Sequence, residues 1–119
     1  MTTEQVNHYQ ELSARYLRHA RDLLAEGDLT QASEKGWGAV SVLVKAAAEA
    51  RGWRHESHRH LWQAVGRLED ETNDEQMREQ FGLAGELHTN YYEGWLDEET
   101  VTRYLAAVEQ LADKLNDLA

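Results

Sequence analysis

Apolar residues recur along this chain at steps of three and four, the spacing that lines one face of a helix. Val6, Tyr9, Leu12, Tyr16, Ala20 and Leu23 predict a first helix over about residues 4–25. Gly27 closes it as a C-terminal cap, and Asp28 with Gln31 three residues on forms a capping box for the next. The second helix, over about 29–51, carries Leu29, Ala32, Trp37, Val40, Leu43, Val44 and Ala47 on its apolar side. Gly36 and Gly38 inside it cost about 1 kcal/mol each relative to alanine, so they mark places where another helix packs closely. Gly52 stops it, with Trp53 where a capping motif places an apolar contact. Ser57 caps a third helix over about 58–71, with Leu61, Trp62, Val65 and Leu68 facing inward. Thr72 to Glu75 reads as a further capping box before a fourth helix carrying Met77, Phe81, Ala84, Leu87, His88 and Tyr91 and ending at Gly94. Asp97 caps the last helix, whose stripe runs from Val101 through Leu105, Val108, Leu111 and Leu115 to Leu118. Asp97, Glu98 and Glu99 sit at its start, as the helix dipole prefers. The expected fold is all-α, an antiparallel bundle of four to five helices with short turns, in one domain over residues 1–119.

Composition sharpens this picture. The chain of 119 residues has no proline, which points to long helices joined by short turns. It has no cysteine, which excludes disulfides, thiolate nucleophiles and cysteine-based zinc sites. A formal charge of −10 disfavours non-specific binding to phosphate backbones or membrane surfaces unless a local basic patch overrides it. The N-terminal run is polar and unlike a secretory leader. Lys45 and Glu49 break the longest apolar stretch, so no membrane span is expected. The expected location is the cytoplasm. No internal repeat, phosphate loop, dinucleotide fingerprint or nucleophile elbow is present, and no cofactor is implied.

Two clusters carry candidate chemistry. The first runs from Arg54 to His60, with three histidines and three basic or hydroxyl partners at one inter-helix turn. A helix N-terminus offers free N–H groups and arginine offers forked donors, so Arg54, Arg59 and His60 are candidate ligands for phosphate. A metal held by His55 and His58 is the weaker alternative, because no HExxH-like spacing adds a carboxylate on one face; no metal site is expected. The plain alternative is a solvated basic turn. The second cluster is Leu87 to Glu93. His88, Tyr91 and Tyr92 are close enough along a helix to share a face, and a histidine can serve as general acid or base near neutral pH. His88 and His58 are the candidate catalytic residues, with Asn90, Tyr91 and Tyr92 as candidate ligand contacts. The plain alternative makes His88 a boundary residue bonded to a neighbouring helix. Of the four tryptophans, Trp37, Trp53 and Trp62 are expected to pack in the core or caps, and Trp95, after Gly94, to be exposed.

The run from Leu24 to Ala39, the triplets Arg51-Gly52-Trp53 and Ser57-His58-Arg59, and the later run from Leu87 to Glu93 resemble PaREP-type archaeal proteins, a branch of the HEPN-like superfamily. The resemblance covers about residues 9–115, with the segments in the same order. It implies a HEPN-like bundle of four or five helices, often dimeric. Many HEPN-like proteins are ribonucleases of toxin and defence systems; others bind nucleotides or pair with a partner such as a small nucleotidyltransferase. Active nucleases of that superfamily carry an arginine, four to six intervening residues and then a histidine, near the final long helices. Here Arg51 with His58 and Arg54 with His60 have that spacing, but both lie before the third helix. This many arginines beside six histidines produce such pairs by chance. No arginine precedes His88 at that distance.

Three readings follow. The first is a dimeric module that binds nucleotide, RNA or a partner protein without catalysis. The second is a metal-independent ribonuclease using His88 or His58 as acid and base, with Arg54 or Arg59 stabilising phosphate charge. The third is a structural oligomerisation bundle. Glycines at 36, 38, 82 and 85 are the reason to expect a homodimer, since small residues let helices approach closely.

Overall fold

The computed structural model describes residues 3–119. They form five helices: α1 (Thr3–Ala25), α2 (Leu29–Ala50), α3 (His58–Thr72), α4 (Met77–Glu93) and α5 (Glu98–Leu118), and no strand occurs among the described residues. The central element is α2, which packs against all four others. It can do so because its inward positions are small: Ala32, Ala39, Ala46, Ala47 and Ala48 are fully buried, and Val40, Leu43 and Val44 fill the space between them. On the far side, Phe81 and Leu87 of α4 and Leu105 and Leu111 of α5 complete the core. α3 touches only α2 and α4 among the described residues, through Leu61, Ala64, Val65 and Leu68.

The helix ends follow the local chemistry closely. The side chain of Asp28 accepts from the Gln31 N–H (3.2 Å), Ser57 Oγ from the His60 N–H (3.2 Å), and Asp97 from the Thr100 N–H (2.8 Å). Each satisfies one of the donors that a helix start leaves free. Gly27, Gly52 and Gly94 adopt positive φ after α1, α2 and α4. The end of α3 uses Asn73 instead, at φ 59°, which an asparagine tolerates better than most residues.

Three expectations need correction. Thr72 does not open α4 as a capping box. Its hydroxyl donates to the Leu68 carbonyl one turn back (2.8 Å), which keeps it as the last residue of α3. Asp74 then accepts from the Gln76 N–H, and α4 begins at Met77 without a side-chain cap. Trp62 is not a core residue: it is 43% exposed, with its ring edge-on to Phe81 at 4.7 Å. Finally, most of the glycines serve contacts inside the chain. A methyl group on Gly36 would lie 2.5 Å from Leu105 Cδ2, one on Gly38 would meet the Tyr16 ring at 3.2 Å, and one on Gly82 would meet Trp62 at 3.7 Å. Only Gly85 of the four faces open space. No helix among the described residues is long and apolar enough to cross a membrane.

Candidate functional site

α3 begins at His58, and successive residues of a helix stand about 100° apart around its axis. His58 and Trp62 are one turn apart and turn towards α4. Arg59, Gln63 and Arg67 recur at steps of four along the neighbouring face. The candidate residues therefore fall into two groups.

The first group is a cluster of rings. His88 of α4 stacks on the indole of Trp37 from α2, with centroids 5.0 Å apart and planes at 26°. His58 meets the same indole edge-on at 5.2 Å and meets His88 at 5.3 Å. Tyr92, one turn after His88, adds its ring at 5.5 Å, and Tyr91 lies against Tyr92 at 5.0 Å. Glu34 of α2 lies 2.9 Å from His88 Nδ1, so three helices contribute to one imidazole's surroundings. A carboxylate on one ring nitrogen fixes the ring's orientation and leaves the other nitrogen available.

Asn90, expected as a ligand contact, is fully buried and occupied. Its amide donates to Ser33 Oγ (3.0 Å) and its carbonyl oxygen accepts from the Leu96 N–H (2.8 Å). Ser33 in turn donates to the Leu29 carbonyl (2.7 Å). This side chain ties the end of α4 to the start of α2 and to the α4–α5 turn, and so supports the ring cluster from behind.

The second group lines an open hollow of about 440 Å³, walled by Trp53, Arg54, Arg59, His60, Gln63 and Arg67. Its back wall is set by the end of α2: Gly52 turns the chain at φ +74°, and the Trp53 N–H donates to the Ala48 carbonyl (2.8 Å). The guanidinium of Arg67 lies over the Trp53 ring at 5.0 Å, a favourable cation–π placement. Arg54 pairs with Glu56 at 3.3 Å, and His60 Nδ1 lies 3.1 Å from both Ser57 Oγ and Glu56. The Glu56 carboxyl titrates below the usual carboxylate range, held down first by its bond to the backbone and then by Arg54 and His60. Arg59 and Arg67 have no carboxylate partner among the described residues.

Arg51 does not line the hollow, although its guanidinium lies over the Trp53 ring at 5.7 Å. It forms a forked pair with Glu71 (2.9 and 2.7 Å) and donates to the carbonyls of Ala47 and Leu118. That bond raises its own pKa and lowers that of Glu71. His55 lies 3.6 Å from Glu49, and no group of three or more histidines and carboxylates suited to a metal ion occurs among the described residues.

Glu34, Trp37, Trp53 and Arg67 were not among the expected site residues. Arg67 had a readable signal, two turns after Arg59 on the same helix face. Glu34 and Trp37 had none, because their approach to His88 depends on how α2 crosses α4.

Among known proteins, the profile of the archaeal PaREP1/PaREP8 family matches residues 8–112 of this chain. No curated protein matches it. The crystal structure of a protein from Sulfolobus solfataricus superposes with a TM-score of 0.78, covering 89% of this chain and 94% of that one at 22% sequence identity. At that identity the likeness is one of fold.

Proposed function

This chain belongs to the archaeal PaREP1/PaREP8 family, and we propose that it acts there as a non-catalytic module that binds a phosphate-bearing ligand, nucleotide or RNA, in the hollow beside α3. The observation that carries this reading is a concentration of positive charge in an acidic molecule. Arg54, Arg59 and Arg67 line one hollow in a chain of net charge −10, and two of them lack a carboxylate partner among the described residues. Unpaired guanidinium groups on a concave wall favour bidentate contact with phosphate oxygens. Trp53 supplies an apolar wall beside them. The bundle is read as HEPN-like on the same grounds as before, the order of the matching segments and the all-α architecture.

Titration calorimetry with adenosine and guanosine nucleotides and with a short RNA tests it. The wild type is expected to bind at least one of them. Arg59→Ala and Arg67→Ala should each weaken binding about tenfold, as expected for loss of a charge-assisted hydrogen bond. Absence of binding by the wild type to every one of these ligands would overturn the reading.

A metal-independent ribonuclease is the second reading, favoured by the approach of His58 to His88 with Glu34 behind. General acid–base cleavage needs two groups flanking one phosphate. Arg54 and Arg59 line the hollow instead of the ring cluster, which leaves the imidazoles without the cation this reading gave them. RNA cleavage in EDTA, abolished in both His58→Ala and His88→Ala, would establish this reading over the first.

The module is further read as a homodimer, or as one half of a complex with a partner protein such as a small nucleotidyltransferase. Tyr92 (72% exposed) and Trp95 (64%) support this, being large rings left in solvent around the α4–α5 turn. A light-scattering mass of one chain at micromolar concentration would remove the homodimer. A stable dimer with no ligand of any class would instead leave the structural bundle as the answer.

A further inference from the structure

A second hollow, of about 460 Å³, lies further along α3 and is lined by Trp62, Gly66, Asp70 and Arg78 together with Gln63 and Arg67. The last two residues also line the first hollow, so the two are continuous across the face of α3. Each contains a tryptophan and an arginine: Trp53 beneath Arg67 in the first, Trp62 with Arg78 in the second. The helical rise puts Arg59 and Arg67 about 12 Å apart along the helix axis. That is more than one phosphate group spans.

Gly66 makes the second hollow possible. Arg78 Nη2 lies 3.0 Å from where a Cβ on Gly66 would stand, so the guanidinium of α4 rests directly on the backbone of α3. Arg78 faces Glu69 at a loose 3.6 Å and keeps more than half its side chain in solvent. Trp62 is held edge-on by Phe81 from behind and has much of its surface free.

We infer that the ligand of this tract is a single-stranded nucleic acid laid along α3, with phosphates at Arg59, Arg67 and Arg78 and a base stacked on Trp62. This rests on the phosphate-binding reading of the first hollow. Single strands are held by cationic grooves that follow the backbone and by aromatic rings on which unstacked bases lie. A duplex keeps its base faces covered and has nothing to give Trp62. An acidic peptide would satisfy the arginines and leave the indole without a stacking partner.

Fluorescence anisotropy with labelled single-stranded RNA and DNA of graded length tests the inference, beside a mononucleotide, a duplex and an oligoglutamate. Affinity should rise about tenfold or more between two and about ten nucleotides and then level. The duplex should bind about tenfold more weakly than the single strand. Trp62→Ala and Arg78→Ala should weaken the oligonucleotide about fivefold to tenfold and leave the mononucleotide unchanged, whereas Arg59→Ala should weaken both. Trp62→Phe keeps a ring against Phe81 and should restore most of the affinity lost in Trp62→Ala. Equal affinity for mononucleotide and oligonucleotide would overturn the inference and leave the first hollow as a nucleotide site. Oligoglutamate binding as tight as RNA would overturn it in favour of an acidic protein partner. Binding of nothing in the series would overturn the phosphate-binding reading itself.

Discussion

The imidazoles of His58 and His88 come from different helices and meet at 72° with centroids 5.3 Å apart, both against the indole of Trp37. Among the described residues only His88 of the two has a carboxylate on it, Glu34 at 2.9 Å. The pair is partly exposed, so this bond contributes towards the low end of about 0.5–1.5 kcal/mol. Glu34→Ala should lower the urea midpoint by a corresponding amount, and Glu34→Gln, which keeps a hydrogen bond, by less. If the two imidazoles do chemistry, Glu34→Ala will slow cleavage far more than it changes stability.

Asn90 has a different weight. Both ends of its amide are bonded in a fully buried position. Asn90→Ala leaves the Leu96 N–H and the Ser33 hydroxyl short of a partner, at a cost of about 1–3 kcal/mol. Chemical denaturation should show that loss with the slope unchanged. Asn90→Ala should also loosen the α4–α5 turn, seen as broadened resonances at Trp95 and Leu96.

The glycines separate into two kinds. Gly36→Ala would drive a methyl into Leu105 and Leu87 in the packed core. Overpacking of this kind costs about 1–3 kcal/mol, more than the helix propensity gained. Gly85→Ala meets nothing within 4 Å and should stabilise by about 0.5–1 kcal/mol. Thermal melts of the two variants should move in opposite directions.

Acid stability should depend in part on Asp74. Its carboxylate accepts from Lys114 (2.8 Å) and from the Gln76 N–H, and the lysine chiefly lowers its pKa from the ordinary 3.8. A carboxyl depressed in the folded state stabilises fully above its unfolded value and loses that effect as pH falls through the folded one. The stability gap between wild type and Asp74→Asn should therefore be constant above about pH 5 and shrink below pH 4. A gap that widened in acid would contradict this.

Helix positions and most ends were legible because period and capping are local. Asp28, Ser57 and Asp97 cap as their spacing says, and three of the turns end on glycine. Trp62 was not legible, since an aromatic at an apolar-stripe position reads alike whether the partner helix covers it or stops short. Thr72 was ambiguous for a similar reason: its hydroxyl can cap the next helix or bond back into its own, and Asn73 decides for the latter by taking the left-handed turn. His58 and His88 could each be named from the sequence, but their meeting depends on how α3 and α4 cross over Trp37. The burial of Asn90 was not legible, because a polar residue beside two tyrosines gives no sign of it.

Among the described residues α3, like α1, packs on only two other helices, and it is bounded by the left-handed residues Gly52 and Asn73. Elements with few buried neighbours open at lower free energy than the rest of a domain. Amide exchange should therefore be faster in α3 than in α2, which exchanges only on global unfolding. Each opening of α3 would part His58 from Trp37 and dismantle both hollows at once. A ligand that bridges α3 to α4 would slow this local breathing.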